Sequence, residues 1–321
     1  MRMQVLAAMS CAALMGWLPA TSVLAQSYPA QAVKLIVPFP AGSATDNIAR
    51  IIGRELQDAL GHPFIVDNKP GAQGMIGADL VAKSAPDGYT LLVAAVSFAA
   101  TESMFKKPAF DAVNDFTPVS RIATTPLALM VKSDFPAKTA REFVDYAKAH
   151  PGKLSAGYGS SSSQVCIAQL ESLAKVDVLE VPYKGIPLAV NDVLGGVLQF
   201  TFVDLGNAIA QAKGGKLRPI GVTSEKRSPL VPDWPALAET LPGFDVDAWV
   251  AMLGPKGLPA PIAKKLHDAI VNAMAKPDVQ SRLATMGFTP ALLGPADSVP
   301  FMKSEVAKWS KLVKQAGIAP E

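Results

Sequence analysis

An apolar, mostly β-branched run from Val33 to Val37, broken only by Lys34, enters the turn Pro38-Phe39-Pro40-Ala41-Gly42-Ser43, and a helical periodicity leaves it. A strand buried on both faces reads this way. Ile48, Ile51, Ile52, Leu56, Ala59 and Leu60 then recur at helical spacing up to Gly61, the position of a left-handed C-terminal cap. Ser43 followed by Asp46 fits a capping box, so the helix is expected to begin near Ala44. A strand, a Gly/Pro turn and a helix start bring free backbone N–H groups and a positive dipole end to one point, an anion site in outline. Any βα unit needs such a turn, so the anion site is an expectation to be tested against the rest of the chain.

The device recurs. Phe64-Ile65-Val66 reads as a strand and Asn68-Lys69-Pro70-Gly71 as a turn, with Gly74 and Gly77 leading to a short helix over Ala78 to Lys83. The G-x-x-G-x-x-G spacing is not a dinucleotide fingerprint. Tyr89 to Val96 is a strand ending at Ser97-Phe98, and ligands of open α/β sheets bind at such carboxyl ends. Leu127 to Val131 is a strand and Ala140 to Ala149 an amphipathic helix. From Leu154 the chain runs through Gly157-Tyr158-Gly159 into Ser160 to Ser163 and a second strand-to-helix junction rich in hydroxyl and N–H donors. Val178 to Val181, Leu198 to Val203 with Asp204 at its end, Leu217 to Val222 and Val246 to Leu253 read as strands. Pro187 to Leu194, Ile262 to Met274, Val279 to Met286 and Val299 to Ala316 read as helices. Repeated βα units predict an α/β fold with mostly parallel sheets flanked by helices.

The N-terminus points to export. Arg2 precedes an apolar run from Val5 to Leu18, then Pro19 and the small-residue ending Val23-Leu24-Ala25, the pattern of a secretory signal peptide. Cleavage is expected after Ala25, giving a periplasmic protein that begins at Gln26. The net charge of +3 over 321 residues is too small an excess to imply nucleic acid as a partner. Cys11 falls in the leader, which leaves Cys166 alone and no internal disulfide.

Catalytic patterns are incomplete. Gly159-Ser160-Ser161-Ser162-Ser163 lacks the second glycine of a nucleophile elbow. His62, His150 and His267 lie beside proline turns or on a charged helix face. No metal spacing or phosphate loop occurs, and no cofactor is implied. Cys166 sits early in a helix among apolar neighbours and reads as a buried small side chain. Donors without an acid, base or metal favour binding over chemistry. Three or four charge-assisted hydrogen bonds at about 1.5–3 kcal/mol each support micromolar capture of a carboxylate, about 8 kcal/mol.

Five ordered motifs carry a resemblance: Val37-Pro38-Phe39-Pro40-Ala41-Gly42 with Asp46; Asn68-Lys69-Pro70-Gly71-Ala72 with Gly74; Ala85-Pro86-Asp87-Gly88-Tyr89-Thr90-Leu91; Val181-Pro182-Tyr183-Lys184-Gly185; and Gly214-Gly215-Lys216-Leu217-Arg218. Ser224-Glu225-Lys226-Arg227-Ser228-Pro229 and the closing helix with Trp309 extend it over the whole mature chain. The sequence resembles the Bug family, the extracytoplasmic solute receptors of tripartite tricarboxylate transporters.

The resemblance implies a type II, Venus-flytrap periplasmic binding fold, with residues 26–127 and 248–321 as one lobe and 128–247 as the other. It implies a monomer that is not an enzyme, closing over a small organic carboxylate and passing it to the membrane components of the transporter. By motif position the two turns clasp the carboxylate through Phe39, Ala41, Gly42, Ser43, Thr45 and Asp46 and through Ser160, Ser161, Ser162 and Ser163. Gly42 is expected to let the backbone approach the ligand, and Asp46 to support the turn. Ser97, Phe98, Tyr183 and Asp204, at strand ends, complete the candidate set. The aromatic side chains suit an aromatic acid and the hydroxyls a di- or tricarboxylate, and the sequence leaves both open. Ser43 stands where the family usually has a second glycine, the serine turn lacks its customary glycine, and Cys166 replaces a histidine common at that helix start. Alternative readings are a receptor presenting its closed form to a sensor kinase and a secreted serine esterase.

Overall fold

The computed structural model describes residues 28–183 and 185–320. The expected leader, residues 1 to 25 with its cleavage site, lies outside the described residues.

Strand β1 (Val33–Val37) is apolar because both faces are covered: Val33, Leu35 and Val37 pack with Ile48, Ile52 and Leu56, while Ile36 joins the core on the other side. Helix α1 (Ala44–Leu60) starts as expected, with the Ser43 hydroxyl accepting from Asp46 N at 3.2 Å, and ends at Gly61 in the left-handed region. β2 (Phe64–Asn68) follows, then a 3-10 turn, Ala72–Gly74, and α2 (Met75–Ala82). That helix begins three residues before the expected Ala78. Gly77 lies inside it because a side chain there would meet Pro38 at 2.9 Å.

β3 (Thr90–Ala95) leads into α3 (Ser97–Met104), a helix that Ser97, Ala99, Ala100, Thr101 and Ser103 give no amphipathic signature in sequence. β4 (Phe116–Lys132) is the longest strand, of which only Leu127 to Val131 was expected. Pro118 and Pro126 read as breaks. The first sits at a register shift against its neighbour and the second where the strand changes partners, positions that tolerate a missing N–H.

α4 (Ala140–Ala149), β5 (Leu154–Tyr158), α5 (Ser161–Ala174), β6 (Val178–Pro182), α6 (Ile186–Leu194) and β7 (Phe200–Asp204) follow the expected order. α7 (Leu205–Lys213), capped by Asp204, was not expected. After β8 (Leu217–Val222) come β9 (Asp247–Pro255), α8 (Ala260–Met274), α9 (Pro277–Thr285), β10 (Thr289–Leu293) and α10 (Pro295–Gln315).

Among the described residues the ten strands form one sheet in the order β2-β1-β3-β9-β4-β7-β5-β6, with β8 and β10 also paired to β4. The parallel arrangement holds at the flanks, in β2-β1-β3 and in β6-β5-β7. The centre is antiparallel, because the chain leaves the first half along β4 and returns along β9 in the opposite direction. The sheet is therefore mixed. Thr223, fully buried, ties the two crossings together: its hydroxyl accepts from Leu127 N at 2.8 Å and donates to Val246 O at 2.7 Å.

Candidate functional site

Between the halves lies a cavity of about 690 Å³. Three helices open their first turns onto it: α1 at Ala44 and Thr45, α3 at Ser97, and α5 at Ser161 and Ser162. The amides of Ala44, Thr45, Ser161 and Ser162 belong to the first-turn donors that a helix cannot satisfy internally. They have no backbone partner among the described residues.

Of the expected contact residues, Phe39, Thr45, Ser97, Ser160, Ser161, Ser162, Tyr183 and Asp204 line the cavity. Ala41, Gly42, Ser43, Asp46, Phe98 and Ser163 do not, and for most of them the reason is visible. Phe98 is core, stacked on Phe110 at 5.2 Å between ring centres and edge-on to Phe116 at 4.9 Å. Ser43 is spent as the cap of α1. Gly42 has φ +84, and a side chain there would meet nothing within 4 Å, so the turn needs its left-handed backbone rather than its lack of bulk. Ser163 is fully buried; its hydroxyl accepts from the amides of Gly159 and Ser160, each at 3.2 Å, and donates to Ser160 O at 2.9 Å. With the Ser160 hydroxyl accepting from Ser163 N, this is a closed capping box. It leaves Ser161 and Ser162 as the hydroxyls facing the cleft.

Asp46 is 1% exposed and ties the first turn together. Its Oδ2 accepts from Gly42 N at 2.8 Å and Arg50 Nε at 3.0 Å, and its Oδ1 from Asn68 Nδ2 at 2.9 Å. The box expected with Ser43 thus closes one residue earlier, on Gly42. Asn68 also donates to Phe39 O at 3.1 Å, which fixes the turn at the cavity edge. Burial pushes the Asp46 carboxyl up, but Arg50, the Gly42 amide and Asn68 outweigh it and hold the group below the usual carboxylate range.

On the opposite side Gly159 lies so close to the turn before α6 that a side chain would come within 2.3 Å of Gly185 C. Tyr183 donates its hydroxyl proton to Asp192 at 2.5 Å, so toward any ligand that oxygen is an acceptor. Asp204 caps α7, accepting from Asn207 N at 3.1 Å and Asn207 Nδ2 at 2.8 Å.

Sequence reading missed Gln73, Thr125, Gln164, Phe288 and Ile318, which also line the cavity. Gln73 lies between the glycines of a loop read as structural, and Thr125 on the hidden half of β4. Among the described residues no histidine lines the cavity. His267 faces Ser120, with Nδ1 and Oγ 3.0 Å apart, but Ser120 is fully buried and donates to Arg121 O. Cys166 is fully buried, and burial pushes its thiol well above the ordinary range, away from nucleophilic use.

The profile described as tripartite tricarboxylate transporter family receptor matches residues 48–318. The chain is similar to the solved structure of R. palustris Rpa4515 with adipate, at 31% identity and a TM-score of 0.79 over 92% of this chain and 100% of that one. It is similar to the periplasmic binding protein BugD, at 33% identity and a TM-score of 0.76 over 92% and 100% of the two chains. MatC (Rpa3494) from Rhodopseudomonas palustris with bound malate is 33% identical, with a TM-score of 0.73 over 89% and 100%.

Proposed function

As the chain belongs to the tripartite tricarboxylate transporter receptor family and has its two-lobed α/β fold, we propose that it captures a small organic carboxylate in the cavity between its halves and delivers it to a membrane transporter of that type. Homologues of this family are periplasmic solute-binding receptors, two of them with the carboxylates adipate and malate bound. This protein takes the same role in the periplasm, as a monomer and without a chemical step.

One observation carries the reading: the first turns of α1 and α5 both line the cavity, and their amides have no backbone partner among the described residues. An anion bound there is held by both halves at once, so the ligand stabilises the closed arrangement by contacts the open one lacks. The lobes, residues 26–127 with 248–321 and residues 128–247, hinge where Leu127, Thr223 and Val246 meet.

A thermal-shift panel of mono-, di- and tricarboxylates tests this. A true ligand at about 100 times its Kd adds about 2.7 kcal/mol, a rise of several degrees in Tm. Ser162→Ala, which removes one hydroxyl, is expected to weaken that ligand about two- to tenfold. If no carboxylate raises the Tm, the reading fails.

A further inference from the structure

One stretch of the cavity wall is lined by apolar side-chain surface. Met104 and Trp249 form part of it, the indole N–H of Trp249 being turned away to Glu305 Oε2 at 2.7 Å. Ile318 and Ala319 form the rest, and they come from the chain's last residues. Their position is built. Gly317, at φ +63, ends α10 in a Schellman turn: its N–H donates to Lys314 O at 3.2 Å, and that of Ile318 donates to Val313 O at 3.2 Å. The turn folds Ile318 back onto the helix it has just left, where it packs against the core that holds Met104, Trp249 and Val313. Without the left-handed residue the chain would run on into solvent.

The rest of the wall adds a second constraint. Asp204 is the charged side chain lining the cavity among the described residues, and Tyr183 presents an acceptor. Both oppose a second carboxylate placed beside them. A short hydroxylated diacid seated at the helix N-termini leaves the Ile318 surface without a partner, whereas an apolar tail covers it and gains from every carbon removed from water.

We propose that the C-terminal turn Gly317-Ile318-Ala319 is a specificity wall that selects monocarboxylates with an extended apolar body. This rests on the carboxylate-receptor reading and names the ligand's other end. Calorimetric titration of the protein with butyrate, hexanoate, octanoate and malate tests it. Affinity is expected to rise about threefold per added methylene, with hexanoate bound more tightly than malate. Ile318→Ser is expected to weaken octanoate about tenfold and leave butyrate within about twofold. Gly317→Val, which changes neither of the lining residues Ile318 and Ala319, should reproduce that pattern by unseating Ile318. A flat series with malate preferred, or equal losses for butyrate and octanoate in Ile318→Ser, would overturn the wall and leave the carboxylate site standing. Failure of butyrate, hexanoate and octanoate to bind while another carboxylate of the thermal-shift panel does would likewise overturn the wall alone; only a panel in which no carboxylate binds removes the receptor reading with it.

Discussion

Asp46→Ala is expected to lower the unfolding free energy by about 2–4 kcal/mol and to weaken carboxylate binding at least about tenfold. The side chain is buried and accepts from Gly42 N, Arg50 and Asn68. Its loss strands a backbone amide and an Asn amide and frees the turn that carries Phe39, Ala44 and Thr45. Binding falls because the amides of that turn are no longer held in line, not because a ligand contact is deleted. The pH dependence has a definite sign. The carboxyl is held below the usual carboxylate range in the folded protein, so its contribution is present above about pH 4 and is lost as pH falls through the folded value. The stability gap between wild type and variant should therefore shrink from pH 7 to pH 3 in urea titrations. Unchanged stability at pH 7 with binding lost would instead make Asp46 a direct contact.

How much of this site was legible in sequence depended on how local its signals are. The Ser43 cap and the Gly61 stop are decided within a few residues and were legible, with α1 starting at the expected Ala44, whereas α5 begins at Ser161, inside the stretch read as a serine turn. Which cap residues face the ligand is decided elsewhere. Ser160 to Ser163 look alike in sequence, yet the hydroxyls of Ser160 and Ser163 are engaged in one capping box while those of Ser161 and Ser162 are left for the cleft. Phe98 stood at the right strand end, and only the presence of Phe110 and Phe116 across the core turns it inward. The hidden half of β4 has the same cause: Pro118 and Pro126 forbid a regular strand, and what permits them is the shifted pairing with β9, which lies more than 100 residues later in the chain. Ile318 was missed although Gly317 is a recognisable stop, because a turn at a chain end gives no sign of what it covers.

Asp247→Asn is expected to stabilise the protein by about 2 kcal/mol at pH 8 and to change little at pH 4. Asp247 opens β9 opposite Pro126, beside the crossing tied by Thr223, and its Oδ1 is buried without a partner among the described residues. Burial, with Asp245 and Glu305 nearby, raises its carboxyl to about 6, and Lys308 and Arg121 only partly oppose this. The unfolded value lies near 4, so the folded protein holds this proton more tightly. The group is neutral and harmless below about pH 4, costs stability as pH rises from 4 to 6, and costs a constant amount above that. The full shift corresponds to about 3 kcal/mol, reduced to about 2 by partial solvent contact. Urea denaturation of wild type and variant at pH 4.5, 6 and 8 reads the difference directly. A gap of equal size at all three would place the effect in packing rather than in charge. Asp247 also lies close enough to Cys166 on α5 to raise that thiol further, and Lys308 of α10 bonds Asp245 at 2.6 Å. An uncompensated charge is thus held at the strand crossing, behind the helix whose first turn carries Ser161 and Ser162. A static core would gain by replacing it, so the stabilised variant also reports whether the crossing must yield when the halves close: if it must, carboxylate binding in Asp247→Asn slows in onset without losing its contacts.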